Sequence, residues 1–180
     1  MTLHAMLYRP DGPGPFPAVV ALHDCGGLKR RPNTKAQLYS IWANKLVADG
    51  FVVLFPDSFE SRSLGSRCRE RHRSVRASRE PVADANAARV WLQEQSHVRA
   101  DRISLLGWSN GASATLWTVR LTTPPRSEAA DFRSAVAFYP SCRRLRGAAW
   151  SARVPTLILI GSLDDCPDGR RRCTVPQCAH

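Results

Sequence analysis

The residues best placed to do chemistry are Gly107-Trp108-Ser109-Asn110-Gly111. They follow the apolar run Arg102-Ile103-Ser104-Leu105-Leu106 and open a helix-competent segment, Ala112 to Arg120. A strand that turns abruptly into a helix leaves one residue at the apex with a strained backbone and an exposed side chain, and small flanking residues relieve the crowding. Ser109 is that apex. Its hydroxyl would face a cleft, while the N-terminus of the following helix favours developing negative charge. This is the arrangement of a G-x-S-x-G nucleophile turn, and it makes Ser109 the candidate nucleophile. The bare pattern also occurs in ordinary strand-to-helix turns, so the surrounding elements must decide.

Those elements alternate. After a short apolar-polar start at Leu3 to Tyr8, the turn cluster from Pro10 to Pro15 separates a hairpin-like pair from the buried run Ala18 to Leu22. That run ends in His23-Asp24-Cys25-Gly26-Gly27. A helix is expected from Thr34, with Gln37 placed for a capping box, with Leu38, Ile41, Trp42, Leu46 and Val47 on one face, and with Gly50 as its stop. The strand Phe51 to Phe55 follows and closes at Pro56-Asp57. From Ser58 to Glu80 the chain is polar and arginine-rich; Pro81 then suits the first turn of a helix whose Val82, Ala85, Ala88 and Leu92 share a face. The strand Ile103 to Leu106, the serine turn and its helix, a turn around Thr123-Pro124-Pro125, and the strands Ala135 to Tyr139 and Thr156 to Ile160 complete the series. Such alternation implies an α/β fold: a mostly parallel sheet with helices on both faces. Ligands of open α/β sheets bind beyond the carboxyl ends of the strands. His23 to Gly27, Pro56-Asp57, Ser109, Tyr139 to Cys142 and Gly161 to Asp165 all follow strand ends.

Composition sets outer limits. A chain of 180 residues that is 43% hydrophobic fits one globular domain with a substantial core. No stretch approaches the roughly twenty apolar residues that span a bilayer, and no export signal is visible after Met1, so a cytoplasmic location is expected, with a periplasmic or secreted one as the alternative if the N-terminus is incomplete. The formal charge is +11, with arginines gathered between Ser61 and Arg79, at Arg143-Arg144 and Arg146, and at Arg170-Arg171-Arg172. These blocks carry almost no aromatics to stack bases, so a solvated basic face is expected first, an anion-attracting rim second and a nucleic-acid site last. Six cysteines, at 25, 68, 142, 166, 173 and 178, show no metal spacing. Fifteen pairings are open to them, and the missing export signal favours the reduced state.

With these residues in view, the chain from about Leu7 to Asp165 resembles the dienelactone hydrolase family of α/β-hydrolases. The likeness is carried by Pro17 to His23 with Gly26-Gly27, by Phe55-Pro56-Asp57-Ser58-Phe59, by Arg102 to Gly111, by Ala137-Phe138-Tyr139-Pro140 and by Leu159 to Asp165. The resemblance implies a hydrolase of small carboxylic esters, lactones or thioesters that works through a nucleophile, a histidine and an acid on a small-molecule substrate; no cofactor or metal is expected. Ser109 takes the nucleophile position, where founding members of the family have cysteine. Asp164 matches the family's acid, with Asp165 a close second; the other reading of Asp164 is a loop aspartate or helix cap. The oxyanion hole implied by the resemblance is formed by the backbone N–H groups of Asn110 and Cys25. His23 takes the place of a loop-ordering residue and is read as structural. Cys25 is read as a small buried thiol.

The family's catalytic histidine lies in a loop downstream of the acid, and the run from Cys166 to His180 lacks apolar periodicity. The expectation is therefore an α/β-hydrolase domain over residues 1–165 that lacks its last strand and helix, with an irregular tail over 166–180. His180 would have to fold back to reach the cleft; His72 lies in the arginine-rich stretch, and His97 follows a helix at the far side. A catalytically inactive remnant, or an anion-binding protein on the same scaffold, is the alternative function. Without its covering neighbour the strand Thr156 to Ile160 becomes a sheet edge.

Overall fold

A computed structural model describes residues 2–28, 36–70, 74–122, 129–141, 145 and 150–161. Among these residues six strands form one sheet in the order β1-β3-β2-β4-β5-β6: β1 (Ala5–Tyr8), β2 (Phe16–Leu22), β3 (Val52–Pro56), β4 (Val98–Trp108), β5 (Ala135–Phe138) and β6 (Thr156–Leu159). All neighbours are parallel except β1, which runs antiparallel to β3 with Ala5 opposite Pro56. The hairpin-like pairing expected at the start of the chain is thus corrected. Both edges of β2 are taken, by β3 and β4, so β1 has to pair with the outer edge of β3.

Helices cover both faces, as the alternation implied. On one face α2 (Glu80–Gln93) and α3 (Asn110–Thr118) pack Ala85, Ala88, Leu92, Ala112 and Leu116 against Val20, Ile103, Leu105 and Ala137. On the other, α1 (Ala36–Ala48) sets Tyr39 and Ala43 against Val19, Ala21, Val53, Phe55 and Trp108. Gly50, at φ 83°, ends the α1 turn as expected. Ile41, expected on the buried face of α1, is 52% exposed; Tyr39 and Ala43 take the inner positions. Thr34, the expected start of this helix, lies outside the described residues, as does the turn at Thr123-Pro124-Pro125.

Aromatic rings brace the α1 face near the strand ends. Phe55 of β3 stacks on Trp108 of β4 at 6.2 Å and 9°, and Trp108 stacks on Phe138 of β5 at 6.0 Å and 6°. Small Ala21, on the intervening β2, leaves room for the first pair to meet across it. Tyr39 and Trp42 lean on Trp108 from α1. Each such pair adds about 0.5–1.5 kcal/mol beyond area burial.

The turn from β4 into α3 packs on the end of β2 with no spare room. A Cβ at Gly111 would lie 2.2 Å from the Leu22 carbonyl oxygen and 2.6 Å from that of His23; one at Gly107 would lie 2.5 Å from Gly111 and 2.6 Å from Thr115 Oγ1. Both glycines are therefore required by close approach.

The loop after β2 is tied by His23. Its Nε2 accepts the Ser58 N–H at 3.1 Å, which leaves Nδ1 as the protonated nitrogen, donating to the Asp24 carbonyl at 2.8 Å. The ring is 4% exposed and packs edge-on against Phe59. Burial holds its pKa below the ordinary 6.5, and the Asp24 carbonyl, Asp57, Asp24 and Asp84 only partly offset this. The structural role expected for His23 is what its bonds describe.

Among the described residues, no helix is long and apolar enough to cross a membrane. In the sheet of the described residues β6 lies at the edge, with Leu157 and Leu159 exposed at 53% and 41%.

Two stability measurements check this architecture. Gly111→Ala should lower the unfolding free energy in urea by about 3 kcal/mol or more, because backbone carbonyls cannot step aside. Gly65→Ala, with nothing within 4 Å, should change it by less than about 0.5 kcal/mol. His23 gives the pH arm. Below pH 6.5 the unfolded chain binds a proton that the folded chain refuses, so stability falls as pH falls from 6.5 toward the depressed folded pKa. The slope contributed is at most about 1.4 kcal/mol per pH unit, and it should be absent between pH 6.5 and 5 in His23→Gln.

Candidate active site

Because β2 to β6 are parallel, the loops after their carboxyl ends open onto the same edge of the sheet. Ser109 stands there, between β4 and α3, with φ 51° and ψ −109°. A serine pays about 1–3 kcal/mol for such a backbone, and it persists only where the surroundings hold it. They do so from three sides. The Ser109 N–H donates to the Phe138 carbonyl at 3.0 Å, and its carbonyl accepts the Ser113 N–H at 2.9 Å. Gly107 and Gly111 are wedged beneath it, as described above. The side chain is half-buried.

Asn110 opens α3, so its amide points out of the positive end of a nine-residue helix. The contact of Gly111 with the His23 carbonyl brings this end against the loop that carries Cys25. In that loop three amides are engaged. Asp24 N–H donates to the Tyr39 hydroxyl at 2.8 Å, Gly26 N–H to Asp24 Oδ1 at 2.7 Å, and Gly27 N–H to the Asp24 carbonyl at 3.3 Å. Among the described residues the Cys25 N–H makes no such bond. The Cys25 N–H is therefore a donor that the loop itself does not use.

Ser113 links the serine turn to the segment after β5. Its hydroxyl accepts the Ser141 N–H at 2.9 Å. Next to it Tyr139 adopts φ 42°, is 43% exposed and donates its N–H to the Leu159 carbonyl. The segment after β3 is held similarly: Asp57 Oδ1 accepts the amides of Phe59 and Glu60, and Arg62 donates to the Ser58 carbonyl and to both carboxylate oxygens of Asp84, each at 2.8 Å. The Asp84 hydrogen bonds raise the Arg62 pKa against the effect of burial.

One expectation fails here. Cys25 is not a thiol: it is joined to Cys68, with Cα atoms 4.8 Å apart across 43 residues of sequence. In the loop-entropy picture a closure of that length adds about 4 kcal/mol to stability. Fifteen pairings were open, and nothing in the sequence signalled that the arginine-rich stretch folds back over the β2 loop. The Arg67 N–H bonds the Cys25 carbonyl at 2.7 Å beside the same bridge. Cys142, Cys166, Cys173 and Cys178 lie outside the described residues.

Asp164 and Asp165 also lie outside them, as do His72 and His180. Of the described histidines, none bonds the Ser109 hydroxyl. His23 is committed to its loop, and His4 directly precedes β1, which is separated from β4 by two strands. The His97 carbonyl accepts the Phe16 N–H at the opposite end of the sheet. No group of three or more His, Cys, Asp or Glu side chains among the described residues is gathered as a metal site.

Comparison with known proteins gives this geometry a lineage. The butyrate-bound esterase 2 of the planctomycete Thermogutta terrifontis superposes with a TM-score of 0.58 at 20% identity, covering 86% of this chain and 54% of the esterase. Its propionate-bound form gives 0.56 at 20%, covering 78% and 51%. Porphyromonas gingivalis dipeptidyl peptidase 4 gives 0.55 at 21%, covering 80% of this chain and 20% of the peptidase. The chain thus spans about half the length of the esterases it resembles, and at these identities the likeness shows a shared α/β fold. No curated protein sequence matches. The sequence matches the profile of the dienelactone hydrolase family over residues 3–175, nearly its whole length. On that match the chain belongs to the dienelactone hydrolase family.

Proposed function

We propose that the protein hydrolyses small carboxylic esters, lactones or thioesters through Ser109. The observation that carries this is the Ser109 backbone, held at φ 51° and ψ −109° on a turn that tolerates only glycine on either flank. Ser109 Oγ attacks the carbonyl carbon and gives its proton to a general base, and the tetrahedral intermediate places its negative oxygen near the start of α3. The amides of Asn110 and Cys25 stabilise that oxygen. Removing one such donor commonly costs about 100-fold to 1,000-fold in rate. The intermediate collapses to an acyl-serine, expelling the alcohol or thiol, and water then releases the acid. Asp164 orients the histidine that serves as base, in the manner of other serine triads; His72 and His180 are the histidines available for that part outside the described residues.

The propionate- and butyrate-bound states of the Thermogutta esterase favour short acyl groups as substrates. The net charge of +11 favours anionic ones, through steering rather than direct contact. The Cys25–Cys68 bond favours an oxidising compartment, periplasmic or extracellular, over the cytoplasm.

One observation favours a second reading, an impaired hydrolase on the same scaffold: no described histidine bonds Ser109. Oxyanion donors and binding alone still give about 1,000-fold to 10,000-fold catalysis over water. A fluorophosphonate probe separates the two. The hydrolase assignment expects covalent labelling of the wild type, none of Ser109→Ala, and a loss of at least about 1,000-fold in p-nitrophenyl butyrate turnover in that variant. Equal turnover by both proteins would contradict it; slow turnover without labelling would favour the impaired scaffold.

A further inference from the structure

We propose that the Cys25–Cys68 disulfide is a thiol-responsive clamp on the oxyanion loop, so that reduction disarms the hydrolase. The inference rests on the hydrolase assignment above and adds a modification site to it. The residue whose amide is to hold the oxyanion is itself one half of the bond. Cys25 is followed by Gly26 and Gly27, and Gly27 takes φ 81°, so the chain beyond it has the freedom of glycine. Among the described residues two links hold Cys25 against the stretch 64–70: the disulfide, and the Arg67 N–H on the Cys25 carbonyl at 2.7 Å. That stretch is neither helix nor strand. Its other bonds include Leu64 N–H to the Phe59 carbonyl, and the Arg67 guanidinium to Glu70 and Ser74. Once the sulfurs part, the loop keeps its own hydrogen bonds on the Asp24 carbonyl and carboxylate, but among the described residues its tie to the covering stretch is reduced to the Arg67 amide on the Cys25 carbonyl.

The two sulfurs differ in access. Cys68 is exposed and Cys25 is half-buried. An external thiolate therefore attacks the Cys68 sulfur, forming a mixed disulfide there and releasing Cys25 as thiolate, which takes a proton from water. A second thiolate attacks the external sulfur of the mixed disulfide, leaves Cys68 as a thiol and carries both sulfurs of the reductant away oxidised. Two electrons pass from two reductant thiols to the protein disulfide. A small dithiol performs both steps, and its oxidised form reverses them.

The test uses the full chain with dithiothreitol as reductant and p-nitrophenyl butyrate as substrate, with the state of residues 25 and 68 read by alkylation and peptide mass spectrometry. Reduction should lower kcat about 10-fold to 100-fold with KM changed less than about threefold, since a misplaced oxyanion donor acts on the transition state. Reoxidation should restore the rate. Cys68→Ser should turn over at the reduced rate with or without dithiothreitol, which separates this bond from the other four cysteines; if that variant does not fold, the reduced wild type answers alone. Amide hydrogen exchange at residues 24–28 should accelerate on reduction. Both thiols freed with kcat and exchange unchanged would overturn the clamp. Accelerated exchange in a protein with no turnover in either state would instead overturn the hydrolase assignment and the control of catalysis, leaving only a loop that loosens.

Discussion

The contact on which the structure depends is the approach of Gly111 to the carbonyl oxygens of Leu22 and His23. At 2.2 and 2.6 Å from where a Cβ would stand, these oxygens exclude every residue but glycine. The first turn of α3 is thereby pressed onto the end of β2, and the chain leaving β4 must reverse within one residue. Ser109 absorbs that reversal with a backbone that an L-residue rarely adopts. Its bond to the Phe138 carbonyl then fixes the turn to β5. Sheet, helix and loop are thus joined at one point, and the hydroxyl, the helix end and the Cys25 amide are held there by the same packing.

A constraint of that kind needs a stiff support. The stacked rings of Phe55, Trp108 and Phe138 provide it on the α1 face, because they bridge β3, β4 and β5 directly behind the serine turn. Around the rim, polar side chains carry the load: His23 joins the β2 loop to Ser58, and Arg62 joins the Ser58 carbonyl to Asp84 on α2. Several arginines that make the chain so basic are therefore bound internally. Arg62, Arg67 and Arg153 sit in ion pairs with Asp84, Glu70 and Asp131, and since each pair sums to zero the +11 excess is carried by other basic residues.

Much of this was legible in the sequence where burial dictates residue type. The runs Ala18 to Leu22 and Phe51 to Phe55 read as strands because a parallel sheet buries both faces, and the 3.6-residue spacing of Val82, Ala85, Ala88 and Leu92 marked the buried face of α2. The serine turn was legible for a local reason, since its glycines answer a contact between neighbouring elements. What escaped was non-local. Nothing in Leu3 to Tyr8 says that β2 has no free edge, and a twofold-alternating segment fits either partner. Ile41 satisfies the helical spacing of α1 yet faces solvent, because the width of the sheet beneath sets how much of the helix is covered. The Cys25–Cys68 bond depends on the path of a loop rich in arginine, which carries no periodic signal at all. Asp164 is matched by resemblance alone and lies outside the described residues, and the sequence offers no histidine at the family's position for it to orient.

The most direct measurement is a crystal structure of the protein after reaction with a small alkyl fluorophosphonate. The account predicts phosphorus bonded to Ser109 Oγ, with the phosphoryl oxygen within about 3 Å of both the Asn110 and Cys25 nitrogens. A Ser109 side chain turned into the core, or an adduct whose oxygen faces solvent away from those two amides, would contradict it.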